Sequence, residues 1–384
     1  MPPTSARAKP LILSVVSRMA VGGVQRVLLE TLARADRERF DYAVLCTKKE
    51  GAWAGDVRAL DIPLTLQKTL PPWSPLQILR LARAIRRINP DLIHIHMAPM
   101  VIPAASAARL AGVRRCVIEH HNFYDRHWSA LNPLLFRWEK WLTRRADALI
   151  SVSHSVAECS TQYLGLPEGR FTTVYNGIQA ERFTDAEPHD PRPEWGLAPG
   201  TPLVLNVARY LNTKRIEDFI EAAAIVVRRW NGAAPGPVFV VIGGGAQEYH
   251  EHYKQWIRKL EVKGSVILAG TREDVPAILS TAQVGVLTSE MEGFGLVVLE
   301  YLAAGLPVVA TDLGPIAELV RDDQEALLVP TRRPDRLADS IERLLRDRAL
   351  AARLVENGQR RLSLFDWEST ARGYEQVYDR LLER

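Results

Sequence analysis

Short β-branched apolar runs alternate along this chain with segments whose apolar residues recur at every third or fourth position, which reads as strands alternating with amphipathic helices. In the first half the runs predict strands at Leu11–Val16, Asp41–Cys46, Leu92–His96, Cys116–Glu119, Ala148–Ser151 and Phe171–Val174, with helices such as Val24–Ala35 and Pro75–Arg87 between them. The second half repeats the scheme, with strands expected at Pro202–Val207, Val238–Ile242, Val266–Ala269, Val284–Leu287 and Pro307–Ala310 and an edge strand at Ala326–Val329. Between the halves, Thr184 to Gly200 is proline-rich and has no apolar period, so it reads as a linker. Asp366 to Arg384 spaces Trp367, Tyr374, Val377, Tyr378 and Leu381 as a terminal helix does. Regular alternation of this kind means parallel sheets covered by helices: an α/β protein of two Rossmann-like doubly wound domains. Ligands bind such sheets beyond the carboxyl ends of the strands, so the chemistry is expected in a cleft that the two domains face.

The length of 384 residues agrees with two domains, since single cores rarely grow so large. Three cysteines, Cys46, Cys116 and Cys159, are odd in number and widely spaced. They suggest neither a disulfide framework nor a cysteine metal site, and fit a reducing cytoplasm. Arg18 interrupts the first apolar run, which reads as a strand rather than a signal peptide. The apolar stretch from Met97 to Ala108 carries two prolines and stops at Arg109, short of the ~20 residues a spanning helix needs.

Charge adds an asymmetry. Residues 1–180 carry 24 Lys and Arg against 14 Asp and Glu, whereas residues 181–384 carry 25 against 31. The basic half is either an ordinary solvated surface or a face for anionic lipid headgroups or an anionic acceptor. Nucleic acid is not expected, because no binding motif accompanies the charge. Trp128, Phe136, Trp138 and Trp141 lie among Arg137, Lys140, Arg144 and Arg145. These aromatics either pack inside or make a peripheral contact with the inner face of the membrane.

Four segments carry candidate chemistry. The strongest follows the run VGVLT: Glu292, then Gly293, Phe294 and Gly295, with a helix expected to begin near Phe294 and to hold Leu296, Val297 and a second acid, Glu300. Glycines let backbone approach a ligand, and the amides at a helix start suit a phosphate. The second segment follows the strand ending at Val207, where Arg209 and Lys214 could neutralise a leaving diphosphate without a metal ion. The third is the turn Gly22-Gly23 at the mouth of a helix, and the fourth is Glu119-His120-His121-Asn122 at a strand end. Neighbouring residues on a strand point to opposite faces, so His120 and His121 should not share one metal. Weaker signals are Asn176 in a turn, the triple glycine starting at Gly243, and Thr271-Arg272. No Asp-x-Asp or His-Glu-x-x-His cluster stands at a strand end, so no catalytic metal or other cofactor is expected.

The pattern Glu292-GFGLVVL-Glu300 resembles the hallmark of family 4 glycosyltransferases of the GT-B fold. The resemblance implies a retaining, metal-independent transfer of a hexosyl group from a UDP- or GDP-sugar to a hydroxyl of a glycan or glycolipid, as in cell-envelope polysaccharide or glycolipid biosynthesis. It implies that Glu300 holds the ribose hydroxyls, Glu292 the donor sugar, and the amides of Phe294 to Val297 the sugar or diphosphate. Arg209 and Lys214 would steady the departing diphosphate. Gly22 and Gly23 would abut the donor phosphate, Gly243 would lie below the base, and Thr271 and Arg272 would flank it. A histidine, His120 by preference with His121 the alternative, would meet the donor sugar, and Asn176 would stand nearby. The same resemblance divides the chain into an acceptor-side domain (1–183), a linker (184–200), a donor-binding domain (201–365) and a helix crossing back to the first domain (366–384). A nucleotide-sugar epimerase or a non-catalytic sugar-binding protein of the same fold would share much of this pattern.

Overall fold

Strands form where the apolar runs stand. The computed structural model describes residues 9–20, 22–68, 74–96, 100–123, 133–231 and 234–383, and the chain divides into two units. The first comprises Met1–Gly177 and Trp367–Arg384, the second Ile178–Asp366.

In the first unit, β1 (Leu11–Val16), β2 (Asp41–Cys46), β3 (Leu64–Leu66), β4 (Leu92–Ile95), β5 (Arg115–His120), β6 (Ala148–Ser151) and β7 (Phe171–Thr173) make a seven-stranded sheet in the order β3-β2-β1-β4-β5-β6-β7. Neighbours pair in parallel throughout, as in β1 beside β2 and β4. All six residues of β1 are buried, which suits a central strand covered on both faces. The stretch judged too short to span a membrane contributes a buried π-helical turn, Val101–Ala105, and the helix Ser106–Ala111, both in the core beside β4 and β5. Among the described residues no helix is long and apolar enough to cross a membrane.

The terminal helix, Trp367–Leu382, belongs to the first unit, as the sequence predicts. It buries Trp367, Tyr374, Val377, Tyr378 and Leu381, the residues whose spacing announced it. Polar contacts fasten it: Thr370 donates to the Tyr175 carbonyl at 2.8 Å, and Glu375 accepts from the Asp36 amide at 2.7 Å and the Tyr42 hydroxyl at 3.2 Å.

The second unit has six parallel strands: β8 (Leu203–Val207), β9 (Val238–Ile242), β10 (Val266–Gly270), β11 (Val284–Leu287), β12 (Val308–Thr311) and β13 (Leu327–Val329). Their order is β10-β9-β8-β11-β12-β13, with β13 at the edge as expected. The stretch 184–200 is not a free linker. It packs on this unit because Arg192, buried, donates to the carbonyls of Thr201 at 2.7 Å and Thr281 at 3.0 Å, while the His189 amide donates to the Ala277 carbonyl. The unit begins at Ile178 rather than after Phe183.

Before β13, Glu325 is buried and accepts from the backbone amide and guanidinium of Arg321. Burial pushes its pKa up, but the hydrogen bonds and charge of Arg321 outweigh that and hold it below the ordinary value. The pair therefore stabilises the unit above the unfolded carboxylate pKa of about 4.3 and ceases to do so as pH falls through the folded value. Glu325→Gln is expected to flatten the fall in melting temperature between about pH 5 and 3, as followed by circular dichroism.

Candidate active site

Each sheet reverses its strand order once, between β8 and β11 in the second unit and between β1 and β4 in the first. At such a switch point the connections leave in opposite directions and open a crevice at the strand ends. Pairing of β8 with β11 covers only Val204 and Leu205, after which the strands part. Side chains close the gap: Asn206 donates to the Val286 carbonyl at 3.1 Å, and the Tyr301 hydroxyl accepts from the Val207 amide at 2.8 Å and donates to the Val286 carbonyl.

Above this plug the two loops lock together. The Glu290 amide donates to the Thr213 carbonyl at 2.9 Å, and the Thr288 hydroxyl donates to the Lys214 carbonyl at 2.7 Å. The Lys214 ammonium meets Glu292 Oε1 at 2.5 Å, and the Ser289 hydroxyl donates to the same oxygen at 2.6 Å. Side-chain exposures of 19% for Lys214 and 12% for Glu292 leave both reachable by a ligand yet largely screened from bulk water. Arg209 stands exposed just past β8 on the loop that carries Lys214, and no acid among the described residues pairs with it. Acid and cation are thus placed by the backbone of their own loops.

The helix here spans Leu296–Ala303, two residues later than Phe294, because Gly295 takes the left-handed conformation (φ 96°) at its N-cap. A Cβ at Gly295 would lie 2.4 Å from Ile316 Cδ1, so the turn requires glycine. The first amides of this helix, at Leu296 and Val297, lack carbonyl partners within the helix and present a partial positive charge. Glu300, half-buried, lies one turn further on. Phe294 is buried and meets Phe365 edge to face.

The triple glycine follows β9 and is wedged against the loop after β8. The Tyr210 amide donates to the Gly244 carbonyl at 2.9 Å, and a Cβ at Gly243 would fall 1.9 Å from the Ala208 carbonyl oxygen. Thr271 adjoins it, its hydroxyl 2.6 Å from where a Gly244 Cβ would be. Arg272 is not a free cation: its guanidinium is bound by Asp274 at 2.6 Å and Glu194 at 2.8 Å, which raise its pKa.

In the first unit, Gly22 in extended backbone caps the helix Gly23–Ala33, and Asn176 is buried. His120, the preferred histidine, faces inward: it is buried, its Nδ1 lies 3.0 Å from the Ser160 hydroxyl and its ring packs on Phe171. Burial lowers its pKa to about 3, so it is neutral. Strand alternation sends His121 to the opposite face, where its Nε2 lies 3.0 Å from Glu119. His120 and His121 are thus enclosed on opposite faces at the end of β5.

Ser289, Thr288, Asn206 and Tyr301 carry no signal in the sequence, because their partners come from distant loops. The paired spacings His94-x-His96 and Glu119-x-His121 on neighbouring strands were readable but not read; they converge in a buried cluster.

A family model for "Glycosyl transferases group 1" matches residues 190–361, and one for "Glycosyltransferase Family 4" matches residues 21–182. Glycogen synthase of Mycobacterium tuberculosis is 31% identical over 304 residues, 76% of this chain and 69% of the relative. The chain belongs to glycosyltransferase family 4. This glycosyltransferase is also 26% identical to the UDP-Gal:alpha-D-GlcNAc-diphosphoundecaprenol alpha-1,3-galactosyltransferase of Escherichia coli, over 90% of each chain. Its fold matches Anabaena Alr3699/HepE, crystallised with UDP-glucose, with a TM-score of 0.82 at 23% identity over 96% of this chain and 99% of the other. The glycosyltransferase thus has the GT-B fold of two Rossmann-like domains, as its sequence pattern implied.

Proposed function

We propose that this glycosyltransferase moves a hexosyl group from a UDP- or GDP-sugar to a hydroxyl of a glycan or glycolipid, with retention at the anomeric carbon and without a catalytic metal. The observation that carries the reading is the Lys214–Glu292 pair at the β8/β11 switch point, beside the open amides of the helix Leu296–Ala303. Glu292 would accept hydrogen bonds from the donor sugar, Glu300 from the ribose, and the helix amides would face the diphosphate. Lys214 and Arg209 supply fixed positive charge where the bond between the anomeric carbon and the phosphate oxygen breaks. The acceptor oxygen then bonds to that carbon from the same face, and its proton passes to the departing phosphate. The Escherichia coli relative, named for a UDP-sugar donor and a lipid-linked acceptor, supports the donor and acceptor classes.

Proton NMR of the product tests the reading. An α-linked product from an α-linked donor, formed at an unchanged rate in chelator, is expected; an inverted linkage, or activity abolished by chelator and restored by a divalent ion, would overturn it. Free sugar formed from donor alone, with no acceptor consumed, would indicate an epimerase.

A lipid-borne acceptor would bring the basic first unit to a membrane surface. Trp141 is 46% exposed between the guanidinium groups of Arg109 and Arg145, Leu134 is 78% exposed, and the helix Pro75–Ile88 sets exposed Leu76 and Leu79 beside Arg80, Arg83, Arg86 and Arg87. Trp138 packs on the core instead, Phe136 meets Tyr163, and Trp128 lies outside the described residues. Co-sedimentation with vesicles containing anionic lipid is expected, and is expected to fall with added salt and in Trp141→Ala. Equal sedimentation with neutral vesicles would contradict an electrostatic contact.

A further inference from the structure

Inside the first unit, where β4 and β5 end, three histidines crowd one carboxylate oxygen. Glu119 Oε2 lies 2.7 Å from His96 Nδ1, 3.0 Å from His121 Nε2 and 3.5 Å from His94 Nε2. One ligand atom from each of His94, His96 and Glu119 falls within 4.8 Å of the others, and all three side chains are buried.

What separates this cluster from an ordinary buried ion pair is how the far side of each group is held. His94 Nδ1 lies 2.8 Å from the Tyr378 hydroxyl, and His96 Nε2 lies 3.2 Å from the Ser14 hydroxyl. The second oxygen of Glu119 accepts from the Tyr374 hydroxyl. Each of His94, His96 and Glu119 is therefore oriented by a partner on one atom while its other atom points to a common centre, the arrangement that outer hydrogen bonds impose on metal ligands. Two of the converging atoms, His94 Nε2 and His121 Nε2, are buried and make no hydrogen bond. A buried imidazole nitrogen without a partner is costly, and a bound cation would satisfy it.

We propose that His94, His96 and Glu119 bind one zinc ion. Imidazoles with a single carboxylate favour zinc over calcium or magnesium, which take oxygen ligands. Zinc held at about 2.0–2.2 Å keeps neighbouring ligand atoms of a tetrahedron roughly 3.3–3.5 Å apart. The 3.5 Å spacing of His94 from Glu119 already fits, and the 2.7 Å spacing of His96 opens by well under 1 Å as neutral His96 shifts its proton to Nε2, where it donates to the Ser14 hydroxyl. All three ligands are buried in the first unit, whereas Lys214 and Glu292 belong to the second, so the ion would be structural, not catalytic. It would pin the terminal helix to the sheet through Tyr374 and Tyr378, and it neither requires nor alters the proposed metal-free transfer.

The test uses the full chain, stripped with chelator and shown to be folded by circular dichroism. Titration with cobalt(II) is expected to give the intense visible bands of a four-coordinate site, saturating at one equivalent, with zinc displacing the cobalt. Zinc is expected to raise the melting temperature by several degrees, as binding to the native state alone requires. The paired variant H94Q/H96Q should lose the cobalt bands. Folded wild-type chain that shows no cobalt bands and takes up only substoichiometric zinc would overturn the proposal. So would retention of the bands in H94Q/H96Q.

Discussion

Replacing Lys214 by alanine is expected to lower the rate of nucleoside diphosphate release about 10²–10³-fold, the cost of losing one positioned charge where an anion develops. The Lys214 ammonium reaches Glu292 at 2.5 Å from a loop 78 residues away, and the loop itself is fixed by the Thr288 hydroxyl on its backbone. Truncating the side chain therefore removes the charge and leaves the backbone in place. A partly exposed ion pair contributes roughly 1 kcal/mol or less, so the melting temperature should move by only a few degrees. Glu292→Gln separates the two partners: it keeps the Ser289 hydrogen bond in neutral form and should weaken use of the donor sugar while Lys214 remains. Steady-state kinetics with the preferred donor check both. A Lys214→Ala rate within about threefold of wild type would remove Lys214 from the chemistry.

Glu119→Ala is expected to destabilise the first unit by about 3–5 kcal/mol, because removing one partner of a buried charge network strands the others. His96 and Tyr374 lose their common acceptor and His121 the carboxylate it faces, and none can turn to water from inside the unit. Burial works against the charge of Glu119, yet the histidines, His121 foremost, hold its pKa well below the ordinary value, so the carboxylate is ionised and the network is under full load at neutral pH. For a unit of this size the loss corresponds to a drop of roughly 10 °C in melting temperature. Glu119→Gln, which retains an acceptor for Tyr374, should fall between the two. A scan by differential calorimetry showing Glu119→Ala within a degree or two of wild type would mean that the cluster carries no structural weight.

How much of this was legible in the chain depends on the kind of signal. The central strands were plain because each is buried on both faces and largely apolar; β3 is Leu64-Thr65-Leu66 at a sheet edge with Thr65 exposed, and so shows no continuous apolar run. Residues 184–200 show the limit of composition: prolines exclude helix and strand but do not exclude packing, and the single buried Arg192 ties the segment to the second unit. The acid of the candidate site was found from the spacing of Glu292 and Glu300 beside glycines. Its keepers, Ser289 and Thr288, were invisible, since a hydroxyl means nothing until a fold delivers its partner. His120 and His121 show a third case. Alternation along β5 says that they diverge, whereas only the layers covering the two faces show that both are enclosed.

The most direct test of the donor site is an equilibrium titration of UDP and GDP into the full chain and into Glu300→Ala. Glu300 sits on the helix Leu296–Ala303 and Glu292 in the loop before it, so substituting Glu300 leaves the Lys214–Glu292 pair unmutated and tests the grip on the nucleotide. Hydrogen bonds to a carboxylate contribute about 1.5–3 kcal/mol, so one diphosphate should bind the wild-type chain and bind Glu300→Ala roughly 10–100-fold more weakly. Failure of the wild-type chain to bind either diphosphate, or equal affinity in the variant, would contradict a nucleotide site built on Glu292 to Glu300.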